Sequence, residues 1–186
     1  MNRNWKLAGI LALLAWAAQP AAAQDPKIDP GQRYLALATS ATLTTQVELD
    51  KAAAQGFQIK LATSRGNSEL ILLLERGPRS VAVQYKLLAA TDTITFQKEI
   101  SDAGGEGWRA VRGTFLVKPH VMSVTEMVVI VEKSANSSRR WEYRLLATTL
   151  TSTLEKEWAE ASGNGYAAVG ILTRSEVMIL MEKEAR

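Results

Sequence analysis

The chain has 186 residues, with 22 basic and 19 acidic side chains, one histidine, no cysteine and a formal net charge of +3. The lack of cysteine excludes disulfides, thiolate metal sites and a lipidated cysteine. Arg3 and Lys6 belong to a segment read below as a signal peptide; without them the net charge falls to +1, so the basic balance gives no argument for nucleic-acid binding.

Residues 1–23 read as that signal peptide. Arg3 and Lys6 give a basic start, Leu7 to Ala18 a short apolar stretch, and Ala21-Ala22-Ala23 the small residues before cleavage at Gln24. The apolar run is too short to cross a bilayer comfortably. The expected product is a periplasmic or secreted protein with no transmembrane span, held by its core alone. Residues 24–30 carry two prolines and three charges and read as a flexible leader.

The rest of the chain is one unit written three times, over residues 31–76, 82–133 and 140–183. Tyr34, Tyr85 and Tyr143 each stand 22 positions before Gly56, Gly107 and Gly165. At that register Ala38, Thr42, Thr44, Glu48 and Ala52 also recur in both later copies. Ordinary residue frequencies give well under about one such three-way match by chance, so the repetition precedes any element assignment.

Each tyrosine opens a strand. Tyr34 to Thr39 is apolar on both sides, which predicts that both its faces are covered; Val83 to Ala90 and Trp141 to Thr148 alternate more visibly. A threonine-rich link and an amphipathic helix follow, with Thr44, Thr95 and Thr153 as candidate caps. The helix stripes are Thr45, Leu49, Ala52; Phe96, Ile100, Ala103; and Leu154, Trp158, Ala161. Threonine in the first stripe predicts that the first helix packs least tightly. Gly56, Gly107 and Gly165 fit the left-handed position that ends a helix, with an alanine four places earlier and an aromatic one place later. Their role is structural.

Two more strands follow each glycine. Phe57 to Leu61, Trp108 to Val117 and Tyr166 to Leu172 come first. The runs Leu70 to Leu74, Met127 to Val131 and Val177 to Met181 come next, each closed by a glutamate and a base that read as solvated strand ends. A run apolar on both sides suits a central strand. The prediction is an α+β fold of three tandem β-α-β-β repeats, mainly antiparallel, each sheet covered by one helix. Units of this size are marginal alone, so the exposed sheet faces are expected to pack against one another in a shared core. The second copy is longer, and the extra length is placed at Lys118 to Met122.

Trp141-Glu-Tyr-Arg-Leu-Leu146, the helical Leu154-Glu-Lys-Glu-Trp158 and Gly107-Trp108 resemble a small bacterial family of unknown function. Its domains carry a Tyr-led strand, a helix and a Gly-Trp before a second strand. The resemblance implies the fold and no settled activity, so no catalytic residue is carried over.

Chemistry-bearing residues are few. His120, the lone histidine, reads as an exposed turn residue rather than a general base or a metal ligand. Glu48, Glu99 and Glu157 align, and three related carboxylates suit a ring around a cation or cavity; the plainer reading is that acids are favoured near a helix start. Arg139-Arg140 suggests phosphate or lipid head groups, and Gly104-Gly105-Glu106-Gly107 mimics a phosphate loop at the wrong end of a helix. The reading is a non-enzymatic exported protein without cofactor or metal. It would bind an envelope protein or small ligand at repeat junctions or through the long second hairpin, with Lys118, His120, Glu48, Glu99 and Glu157 as contact candidates. The alternatives are a carboxylate-dependent hydrolase of the envelope and an envelope structural protein.

Overall fold

A computed structural model describes residues 28–66, 68–77, 82–119 and 125–186. The proposed signal peptide, most of the leader and His120 lie outside the described residues. The elements run β1 (Tyr34–Thr39), α1 (Thr42–Ala54), β2 (Phe57–Arg65), β3 (Glu69–Arg76), then β4 (Val83–Ala90), α2 (Thr93–Gly105), β5 (Arg109–Ala110), β6 (Leu116–Pro119), β7 (Thr125–Ser134). The last unit is β8 (Trp141–Thr148), α3 (Thr151–Gly163), β9 (Ala167–Thr173) and β10 (Val177–Glu184). Each unit forms its own antiparallel sheet, ordered β1-β3-β2, β4-β7-β5 with β6 also on β7, and β8-β10-β9. The most apolar strand lies in the middle, as its two-sided composition requires.

Local sequence explains the helix ends. Gly56, Gly107 and Gly165 have φ of +82°, +95° and +87°. Trp108 and Tyr166 donate their amides to the Ala103 and Ala161 carbonyls at 3.0 and 3.1 Å, so the helix end turns back on the buried alanine. The expected threonine caps are displaced. The helices begin two residues before Thr44, Thr95 and Thr153, and in α2 the cap is Asp92, whose carboxylate accepts from the Thr95 amide at 2.8 Å. That contact holds the Asp92 carboxyl below its usual range.

The second strand of the middle unit is broken rather than continuous. Between β5 and β6 the chain leaves the ladder at Val111 to Phe115, and Thr114 Oγ1 takes the Ile130 amide at 3.0 Å in place of a strand neighbour. Phe115 drops into the core against Phe96, ring centres 5.4 Å apart. Part of the extra length is therefore core filling, not hairpin.

The units share cores in sequence. One cluster joins Leu37, Leu49, Phe57 and Leu72 of unit one to Tyr85, Val128 and Ile130 of unit two. A second joins Phe96, Ile100, Met127 and Val129 of unit two to Tyr143, Met178 and Leu180 of unit three. The packing differs from the expected face-to-face arrangement of bare sheet backs. The helix-bearing face of one unit receives the tyrosine face of the next, so the three stack head to tail.

Candidate interaction faces

Each seam is built from the same parts. The tyrosine of the incoming unit buries its ring and gives its hydroxyl to the previous unit's second strand. The Ile59 amide donates to the Tyr85 hydroxyl at 3.2 Å, and the Ala110 amide donates to the Tyr143 hydroxyl at 2.6 Å. Ile59 and Ala110 sit at matching positions, three residues past Gly56 and Gly107, and in unit one the register slips just after Ile59. The tyrosine thus satisfies an amide at a ladder irregularity. Burial pushes the Tyr85 phenol up to about 12 and raises Tyr143 as well, so both remain neutral donors and acceptors.

A glutamine on each covering helix completes the seam. Gln46 Nε2 donates to the Tyr85 carbonyl at 2.9 Å, and its Oε1 accepts from the Leu87 amide at 2.8 Å. Gln97 repeats this with the Tyr143 carbonyl at 3.0 Å and the Leu145 amide at 2.7 Å. One side-chain amide therefore pairs the edge strand of the next unit as a neighbouring strand would. Sequence reasoning missed these residues because the third copy carries Glu155 at the position. The signal was present: a glutamine conserved in the two copies that have a successor.

The closing glutamate and base are not solvated strand ends. Arg76, Lys133 and Lys183 stack on Phe57, Trp108 and Tyr166, 4.5, 5.8 and 4.6 Å from the ring centres. Arg76 and Lys133 also donate to the Gln55 and Glu106 carbonyls at the ends of α1 and α2, where a cation is favoured. Glu182 is only 2 % exposed and takes two hydrogen bonds from Arg109 of unit two, at 2.8 and 3.1 Å. That guanidinium lies over Trp141 at 4.3 Å. The second seam therefore holds an ion pair with a buried carboxylate and a half-exposed guanidinium as well as a tyrosine.

The remaining contact candidates are drawn into the structure or apart from one another. Lys118 is 3 % exposed, donates to Thr42 Oγ1 in α1 at 3.1 Å and lies 3.7 Å from Glu126, so it ties unit two to unit one. Glu48, Glu99 and Glu157 sit on three different helices, and among the described residues no group of three or more acids or histidines could hold a metal ion. The three carboxylates therefore make no such group, and the cation ring weighed against the helix-start reading has no support among the described residues. Arg139 reaches Glu184 at 3.4 Å. Gly104 lies in the last turn of α2 against β8: a methyl there would fall 2.8 Å from the Tyr143 ring and still closer to the Trp141 carbonyl oxygen. Its use is close approach across the seam.

At the two ends of the stack the same parts lie open. Tyr34 is 63 % exposed where Tyr85 and Tyr143 are buried, and Leu73 is 44 % exposed where its counterparts Ile130 and Leu180 are closed off. Leu61 lies open on this first face too. This corrects the expectation that both faces of β1 are covered. At the far end Trp158 is 48 % exposed, although its counterparts Leu49 and Ile100 are fully buried. Ile171 and Leu150 of the same unit are exposed as well. The helix that packs least is therefore the third, not the first; Thr45 is buried and bonded to the Ala41 carbonyl at 3.0 Å.

The fold and these faces define the molecule as an open-ended α+β stack of three units. No family model, no curated protein and no solved structure matches the chain. Among the described residues, no helix is long and apolar enough to cross a membrane.

Proposed function

We propose that this protein is a non-enzymatic interaction module that docks a partner protein through the open end faces of its stack. The supporting observation is the contrast in burial at matching positions: Trp158 against Leu49 and Ile100, and Tyr34 against Tyr85 and Tyr143. Large apolar side chains left open where their equivalents are sealed mark a surface meant to be covered. The titratable groups at the seams act as struts between units. Export of the mature chain fits this reading through Arg3, Lys6 and the apolar stretch that follows, and the Tyr-led strand and Gly-Trp favour kinship with the bacterial family named above.

A photo-crosslinking residue placed at Tyr34 or at Trp158, in the cells that make the protein, tests it. Both positions are expected to capture a protein partner, while the exposed Lys98 on the flank of α2 captures none. Equal labelling at all three positions, or none at either end, would remove the reading.

A further inference from the structure

Resting on that reading, we propose that the partner is a second copy of this chain, docked head to tail. The Tyr34 face of one copy seats on the α3 face of another, as the Tyr85 and Tyr143 faces seat on α1 and α2 within the chain.

Two covered seams in the same molecule show what each open face accepts. The tyrosine face is Tyr34, Ala36 and Ala38 on β1 with Leu73 and Ile71 opposite them on β3. It repeats Tyr85, Leu87 and Ala89 with Ile130 and Val128, and Tyr143, Leu145 and Ala147 with Leu180 and Met178. The receiving face is Leu146, Ile179, Met181 and Ala161, packed with Leu154 and Ala168. Trp158 and Ile171 remain uncovered at its margin. Repeat arrays that end in solution carry polar outer faces on their terminal units; here the first end exposes Tyr34, Leu61 and Leu73 and the last exposes Trp158 and Ile171.

The polar groups at the ends also fit each other. Inside the chain one glutamine both donates to the tyrosine carbonyl and accepts from the amide two residues on. At the first end Gln32 Nε2 already donates to the Tyr34 carbonyl at 2.7 Å, which leaves the Ala36 amide, counterpart of the Leu87 amide, as the group for a partner to take. At the other end Glu155 occupies the glutamine's position and, as a carboxylate, only accepts. A glutamate meeting a free tyrosine carbonyl would repel it; meeting one supplied by Gln32, it finds only the amide.

The two faces differ, so the contact is heterologous: it either closes into a ring or continues as a filament. Sedimentation velocity of the purified chain over a range of concentrations reads this directly. The wild type is expected to grow in mass with concentration. Leu73→Lys breaks only the first face and Trp158→Glu only the last, and each is expected to lower association at least about tenfold. Mixed together, the two variants each retain one intact face and should form a 1:1 pair that grows no further. Tyr34→Asp and Ile171→Lys serve as the second pair if either variant melts early. A chain that is monomeric at every concentration, or a single variant that still dimerises with itself, overturns the proposal. A monomer that nonetheless crosslinks from Tyr34 and Trp158 to a different protein removes the second copy and leaves the interaction module standing; a monomer with no such crosslinks removes both.

Discussion

Tyr34 and Tyr143 open the same strand in two copies of one unit, and their surroundings are opposite. Tyr143 is sealed between units, accepting from the Ala110 amide and donating to the Trp108 carbonyl at 3.2 Å. Tyr34 stands in solvent under the Arg33 guanidinium, 5.1 Å from its ring centre. The same division runs through Ile100 and Trp158 at the other end of the unit. A seam is thus a property of two neighbours, and identical residues become core or surface according to whether a neighbour exists. That is the behaviour of a quasi-one-dimensional array.

The comparison breaks most severely at Gly104. Alanine there would drive a methyl into the Trp141 carbonyl and the Tyr143 ring, and is expected to destabilise by about 3 kcal/mol. Its neighbour Gly105 has open space around it, so alanine at that position is expected to be neutral or slightly stabilising. Gly107→Ala falls between them, at about 1–2 kcal/mol, because φ is +95° and the new methyl would press the Arg139 carbonyl at 3.0 Å. Urea unfolding of the three variants ranks these costs. Equal changes at Gly104 and Gly105 would show that close approach to the next unit does not set them.

The tyrosines sharpen it next. Tyr143→Phe strips a buried amide and carbonyl of their partner and is expected to cost about 1–3 kcal/mol. Tyr34→Phe is expected to stay within about 0.5 kcal/mol, since the hydroxyl lies on an exposed face. Matched thermal melts of dilute protein check the pair, and similar losses at both positions would contradict the seam account.

The smallest effect is at Glu132, on the tyrosine face of unit two. Burial raises its carboxyl above the ordinary range, Arg109 and Lys60 oppose that, and Glu182 adds to it. A carboxyl with a raised folded pKa favours the fold fully below its unfolded pKa, and that contribution fades as pH rises through the folded value. Glu132→Gln should therefore melt about 1–2 °C above the wild type at neutral pH, with the gap closing in acid below about pH 4. A gap that widens in acid would reverse the sign of this argument.

Much of the unit was legible because its signals are local. A left-handed glycine after a buried alanine ends a helix whatever surrounds it, and a run such as Met127 to Val131 is buried on both sides or not folded. These fixed three β-α-β-β units, the central strand of each sheet and the need for the units to shelter one another. Thr114 and Phe115 escaped because the irregularity they fill arises only where β5 meets β7. Gln46 and Gln97 escaped because their acceptors lie some forty residues away and a mid-helix glutamine carries no local signature.

The tertiary structure alone decided which face meets which. Composition makes both sides of every sheet apolar, and burial free energy is non-directional, so back-to-back and head-to-tail stacking satisfy it equally. Hydrogen bonds are directional. The hydroxyls of Tyr85 and Tyr143 and the amides of Gln46 and Gln97 find partners in one arrangement only, and that arrangement leaves Tyr34 and Trp158 facing outward.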